Sequence, residues 1–123
     1  MPDTQAVSRD HDKLVRDEVP DAIREDGETP VTHRASGEEY RDRLADKLLE
    51  EATEFAESRA IAEIGDVLDV VDAICAARDI DRDYLEDMRA AKSDERGGFV
   101  EGIVLDGVEP TPEHKHADWE EPE

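Results

Sequence analysis

A chain of 123 residues with 36 acidic side chains against 15 basic ones, a formal charge of −21 and 4% aromatics has room for one ordinary domain. A surface this negative repels phosphate backbones and anionic lipids, which argues against general nucleic-acid or membrane-surface binding. No apolar run approaches the ~18 residues of a membrane-spanning helix, the N-terminus shows no basic stretch leading into an apolar one, and the lone Cys75 suits a reducing cytoplasm.

Residues 1–11 are polar and read as a flexible leader. Asp21-Ala22-Ile23-Arg24-Glu25-Asp26 predicts a short helix over 20–26, with Pro20 in its first turn and Gly27 as its stop. The stretch from Thr29 to Arg34 is extended, with a short strand near 31–34. Ser36-Gly37-Glu38-Glu39 has the pattern of a capping box, with Ser36 at N-cap and Glu39 at N3. The first long helix follows over 37–57, with Tyr40, Leu44, Leu48, Ala52 and Phe55 recurring at three- and four-residue steps and Ala45, Leu49 and Ala56 alongside. Ser58-Arg59-Ala60 is a break. A second helix is expected over 60–78, with Ile61, Ile64, Val67, Leu68, Val71, Ile74 and Cys75 facing inward. A third, over 81–93, carries Tyr84, Leu85 and Met88 and ends at Gly97-Gly98. Phe99 to Leu105 is β-prone and could pair with the stretch near 31–34 as a short hairpin. Residues 107–123 form an acidic, proline-containing tail that reads as disordered or loosely docked, and its His114 and His116 are a weak pair for a metal.

The expected fold is therefore mainly all-α, a helical bundle with one domain over 12–106. Two amphipathic helices joined by a short link make an antiparallel hairpin, whose broad apolar faces call for the third helix and a second subunit. A homodimer or homotetramer completes such a bundle. Leu, Ile, Val and Phe number 25 of 123, a level at which a highly charged chain can be disordered. Their helical clustering between 40 and 105 argues for folding. Extreme acidity with only four lysines resembles proteins of salt-loving cells. At ~1 M salt the Debye length is ~3 Å, so self-repulsion is screened.

The informative feature is a pair of acidic runs on the two long helices, Glu50-Glu51-Ala52-Thr53-Glu54 and Glu63-Ile64-Gly65-Asp66 with Asp69 beyond. Residues three apart on a helix project together, so Glu51 pairs with Glu54 and Glu63 with Asp66. In a hairpin turning near Ser58 to Ala60 the two pairs face each other at one level. Four carboxylates meeting there repel unless cations lie between them. Hard oxygen ligands suit Mg²⁺ or Mn²⁺, and Mg²⁺ takes its other ligands from water and substrate phosphates. With so many acids in the chain, the same spacing also reads as a solvated face. Gly65 costs a helix interior ~1 kcal/mol and suggests close approach by a neighbouring helix or ligand. Asp79-x-Asp81-x-Asp83 opens like a calcium loop but has Tyr84 where glycine is needed and Ala90 where a bidentate Glu is needed, so Asp81 reads as a helix N-cap. An anionic substrate would need basic groups, and Lys13 with Arg16, and Lys92 with Arg96, are the candidates.

Lys47-Leu48-Leu49-Glu50-Glu51-Ala52-Thr53-Glu54, followed by Glu63-Ile64-Gly65-Asp66-Val67-Leu68-Asp69, resembles the EExxE…ExxD motif of the MazG-like, all-α nucleoside triphosphate pyrophosphohydrolases. Lys13-Leu14-Val15-Arg16-Asp17-Glu18-Val19-Pro20 and Lys92-x-x-x-Arg96-Gly97-Gly98-Phe99-x-x-Gly102-Ile103-Val104-Leu105 resemble a small subgroup of predicted house-cleaning pyrophosphatases. The resemblance implies an oligomeric, Mg²⁺-dependent enzyme that cuts nucleoside triphosphates between the α and β phosphates, giving monophosphate and pyrophosphate. It implies Glu51, Glu54, Glu63 and Asp66 as metal ligands, Lys13, Arg16, Lys92 and Arg96 as phosphate contacts, and Glu50 or Asp69 as a base that orients water. The eight residues between the acidic pairs are fewer than MazG proteins proper often have, so the base pocket does not carry over. Phosphoribosyl-ATP pyrophosphohydrolase shares the acidic motif, but it usually shows a Tyr-His pair soon after the Asp, where this chain has Val67-Leu68-Asp69-Val70-Val71. A non-catalytic acidic helical module is the remaining alternative.

Overall fold

The structure is a computed structural model that describes residues 12–112; the expected leader over 1–11 and the His114–His116 pair lie outside the described residues. The described residues are all-α, with four helices and no strand: α1 (Val19–Glu25), α2 (Gly37–Ser58), α3 (Ile61–Ala77) and α4 (Arg82–Arg96). Neither 31–34 nor 99–105 is a strand, which corrects the expected hairpin. Phe99 to Glu101 instead make a turn closed by the Gly102 N–H on the Phe99 carbonyl, with Gly102 at φ 68°, and the β-branched residues beyond it are exposed.

The helix ends reflect local chemistry. Pro20 sits in the first turn of α1, where its missing N–H costs nothing. Gly27, at φ 90°, closes that helix: its N–H reaches the Arg24 carbonyl and the Glu28 N–H reaches Ile23, the Schellman pattern. The same pattern ends α3, with the Asp79 N–H on Ala76 and the Ile80 N–H on Cys75, so Asp79 is forced to φ 57°. Asp81 caps α4, its Oδ1 accepting the Asp83 N–H at 2.9 Å, as expected of it. Ser36 does stand at the N-cap of α2, but its side chain makes no capping hydrogen bond. Gly37 at φ 57° gives that first turn a left-handed step, so the backbone departs from the geometry a capping box needs.

The chain divides after Glu86 into two compact units. In the first, α2 and α3 pack against each other across a two-residue link, Arg59–Ala60. Arg59 adopts φ 61°, and its N–H caps the Phe55 carbonyl. The hairpin buries Leu44, Val70 and Cys75, with Tyr40, Leu48, Phe55, Val67, Val71 and Ile74 half-buried. The expected stripe needs one correction: Ala52 is exposed, and Glu51 takes the inward place. The spacing explains why. Leu44, Leu48, Glu51 and Phe55 step by four, three and four residues along one face, whereas Ala52 is rotated off it. Leu49, Ile61, Ile64 and Leu68 are exposed, contrary to the inward facing expected of the last three. Leu85 of α4 is half-buried and Tyr84 exposed, and Arg82 ties the start of α4 to Asp72 of α3 at 2.6 Å. In the second unit, Met88 and the apolar side chains of 99–108 are exposed. No helix among the described residues is long and apolar enough to cross a membrane.

Candidate metal centre

The link between α2 and α3 sets the geometry of the acids. Because α2 ends at Ser58 and α3 begins at Ile61, Glu51 and Glu54 of one helix and Glu63 and Asp66 of the other lie within two turns of the same bend. Two overlapping clusters result. Glu51, Glu63 and Asp66 bring one carboxylate oxygen each within 4.8 Å of one another, and so do Glu50, Glu51 and Glu54. Glu51 belongs to both. The four acids expected as ligands thus meet around Glu51, with Glu54 grouped on the Glu50 side rather than among the oxygens of Glu63 and Asp66.

Burial separates this cluster from an ordinary acidic face. Glu51 is only 7% exposed, and it is the buried charged residue among those described. Its Oε1 and the Oε1 of Glu63 are both shielded from solvent and have no hydrogen-bond partner among the described residues. An unsatisfied buried carboxylate oxygen is costly, and two in one acidic cluster are costlier. A divalent cation would satisfy oxygens of this kind, and an all-oxygen donor set suits Mg²⁺ or Mn²⁺. The residues present therefore fit such an ion.

Basic side chains clasp the cluster from outside. Lys13 Nζ donates to Glu50 Oε2 at 2.8 Å. Arg16 donates to Asp66 Oδ1 and to Asp69 Oδ2, each at 2.8 Å. Arg43 holds the same N-terminal segment through Asp12. The segment before α1 is thereby strapped across α2 and α3, and both N-terminal cations expected to meet substrate lie at the acids. Their side chains are 40% and 58% exposed, so each pair is weak, screened by solvent and free to exchange partners. Lys92 and Arg96 stand one turn apart and exposed on α4, in the second unit. Lys47 had no role assigned from the sequence, yet its Nζ lies 3.2 Å from both Glu50 Oε1 and Glu51 Oε2. The signal was present, since lysine three and four residues before two acids is helix-pair spacing.

These contacts push two acids one turn apart in opposite directions. For Glu50, burial is the largest influence and raises its pKa, but hydrogen bonds from Lys13 and Lys47 outweigh it and hold the carboxyl below its usual range. Among the described residues no hydrogen bond of this kind lowers the pKa of Glu54. The charge of Glu51 is the largest cause of its raised pKa, followed by desolvation and the charges of Glu63 and Glu50. Lys13 is correspondingly held above its ordinary value, first by its hydrogen bond to Glu50. Gly65, expected to permit a close approach, faces open space: a Cβ built there meets nothing within 4 Å.

No family model matches this chain, and no curated protein or solved structure matches it either.

Proposed function

We propose that the α2–α3 centre holds Mg²⁺ or Mn²⁺ and hydrolyses nucleoside triphosphates between the α and β phosphates, as the resemblance to the MazG-like pyrophosphohydrolases implies, in a house-cleaning role toward non-standard nucleotides. The supporting observation is the pair of buried, unpartnered oxygens on Glu51 and Glu63 beside Asp66. Glu51, Glu63 and Asp66, with Glu54 next to them, hold the ion. When bound, the ion offsets triphosphate charge, polarises phosphorus and lowers the proton affinity of water. Lys13 and Arg16 exchange Glu50, Asp66 and Asp69 for phosphate oxygens, an exchange their exposure permits. Arg16 presents a planar fork to the phosphate and Lys13 a compact charge. Glu50 and Asp69, released by that exchange, accept the proton of the attacking water. The chain works in the cytoplasm at high salt, as a homodimer or homotetramer whose contacts cover Leu49, Ile61, Ile64 and Leu68, which one copy leaves exposed.

A panel of standard and damaged nucleotides with phosphoribosyl-ATP, assayed for pyrophosphate in molar KCl with and without Mg²⁺ or Mn²⁺, tests the proposal. Metal-dependent release of pyrophosphate from some triphosphate supports it, and turnover of phosphoribosyl-ATP alone moves it to histidine biosynthesis. A non-catalytic acidic module draws on one observation: Lys13, Arg16 and Lys47 already neutralise much of the cluster. Silence across the whole panel, with the chain folded, favours that second reading.

A further inference from the structure

Lys47 has no part in the chemistry proposed so far, yet it is the most enclosed cation at the centre. Its side chain is 15% exposed, against 40% for Lys13 and 58% for Arg16. It stands one turn before the acids on α2 and reaches Glu51 Oε2 and Glu50 Oε1, each at 3.2 Å. An enclosed pair of this kind exchanges with water or phosphate far less readily than the outer two. The consequence falls on Glu51. Its Oε2 is held by Lys47, while its Oε1 is buried and without a partner. Glu51 therefore offers a cation one oxygen rather than two.

Divalent cations differ in what they make of such a donor. Ca²⁺ gathers about 6–8 oxygens at ~2.3–2.6 Å and often takes a carboxylate through both of its oxygens. Mg²⁺ keeps about six oxygens at ~2.0–2.1 Å in near-octahedral order and is served by single oxygens and water. We infer that Lys47 is a specificity-determining residue: by holding Glu51 Oε2 it restricts Glu51 to one oxygen and biases the Glu51–Glu63–Asp66 centre toward Mg²⁺ and Mn²⁺ and against Ca²⁺. This rests on the metal-binding part of the proposed function and is independent of hydrolysis. A plain charge effect predicts something different. Removing one positive charge would tighten every divalent cation alike and leave their ratio unchanged.

The test is direct binding to the full chain in molar KCl, with free Mn²⁺ read by electron paramagnetic resonance and Ca²⁺ by competition. Lys47→Met is expected to narrow the Mn²⁺-over-Ca²⁺ preference about 10-fold or more, the scale on which outer partners of metal ligands act. Lys47→Arg, which can hold the same oxygen, is expected to restore it. Circular dichroism checks that both variants fold. A second measurement needs no variant: on Mn²⁺ binding by the unaltered chain, the split between the two carboxylate stretches in the infrared difference spectrum should widen, as for one-oxygen ligation. An unchanged cation ratio in Lys47→Met, or a narrowed split, overturns the inference. A shifted ratio in a chain that turns over no triphosphate upholds it and removes the hydrolase reading; turnover with an unshifted ratio does the reverse. An unaltered chain that binds neither cation removes both.

Discussion

Leu44 and Glu51 stand seven residues apart on α2, and Val70 and Glu63 seven apart on α3, so each pair shares one stripe of its helix. At Leu44 and Val70 the stripe is aliphatic; one heptad closer to the Arg59–Ala60 link, at Glu51 and Glu63, it is acidic, although Phe55 on the same face of α2 is apolar again. The burial on α2 is nearly the same at both levels, 3% exposure for Leu44 and 7% for Glu51. Packing alone would place an aliphatic side chain at both. A carboxylate at the second level forfeits apolar burial and adds a desolvation penalty, so the choice of residue there answers to something other than the stability of the empty fold. The acidic level of the hairpin, unlike the aliphatic one, is where the proposed metal centre lies.

The largest expected effect comes from removing the acids. Glu51→Gln or Glu63→Gln should cut metal-dependent pyrophosphate release about 100-fold or more, a loss of ~3 kcal/mol or more of transition-state stabilisation, with the helical signal intact. Glu51→Leu makes the two levels of α2 alike. It should abolish release while raising metal-free stability, because an apolar group replaces a buried carboxylate with an unpartnered oxygen while Lys47 keeps its pair with Glu50; urea titration checks the sign, and a fall in stability would break the comparison. At the aliphatic level Leu44→Ala should cost about 2–5 kcal/mol, seen as an earlier urea midpoint, and should leave metal affinity per folded molecule unchanged. Gly65→Ala should add up to ~1 kcal/mol, since its Cβ meets open space in one copy. Lost stability there would reveal a neighbour contributed by another subunit.

The smallest effect is one of pH, and it sets Glu50 against Glu54. Glu54 binds its proton more tightly folded than unfolded, so its charged form weakens the fold above the raised pKa, and the penalty lifts as pH falls through that value. Glu50 behaves oppositely: its contribution is present above the ordinary carboxylate value and is lost as pH falls through the lowered one. Glu54→Gln should therefore raise metal-free stability at neutral pH, with the gain vanishing in acid. Glu50→Gln should lower it at neutral pH, again with the difference fading in acid. Paired melts at several pH values read both.

The sequence shows the four helices plainly because their ends carry their own chemistry: Pro20 and Gly27 bracket α1, Asp81 caps α4, and Gly97 at φ 82° stops it. The β-prone run 99–105 misleads, since propensity without a paired strand makes no sheet. The inward place of Glu51 is hidden because apolar letters alone define a stripe that selects Ala52, one position away. The clasp of Lys13 and Arg16 on Glu50, Asp66 and Asp69 spans 37 to 53 residues of chain, and no local pattern encodes such a distance. Lys47 is legible by spacing alone but becomes visible as part of the centre only once Glu51 is seen to be buried.

The two-residue connection from Arg59 to Ala60 has a consequence of its own. Each residue added to a helical path rotates the rest of the helix by roughly 100°. One alanine inserted after Ala60 and taken up into the start of α3 would keep every acid in the chain while swinging Glu63 and Asp66 away from Glu51. Such a chain should retain its circular dichroism and lose Mn²⁺ affinity, so the length of the bend works as a phase setting that aims one helix's ligands at the other's.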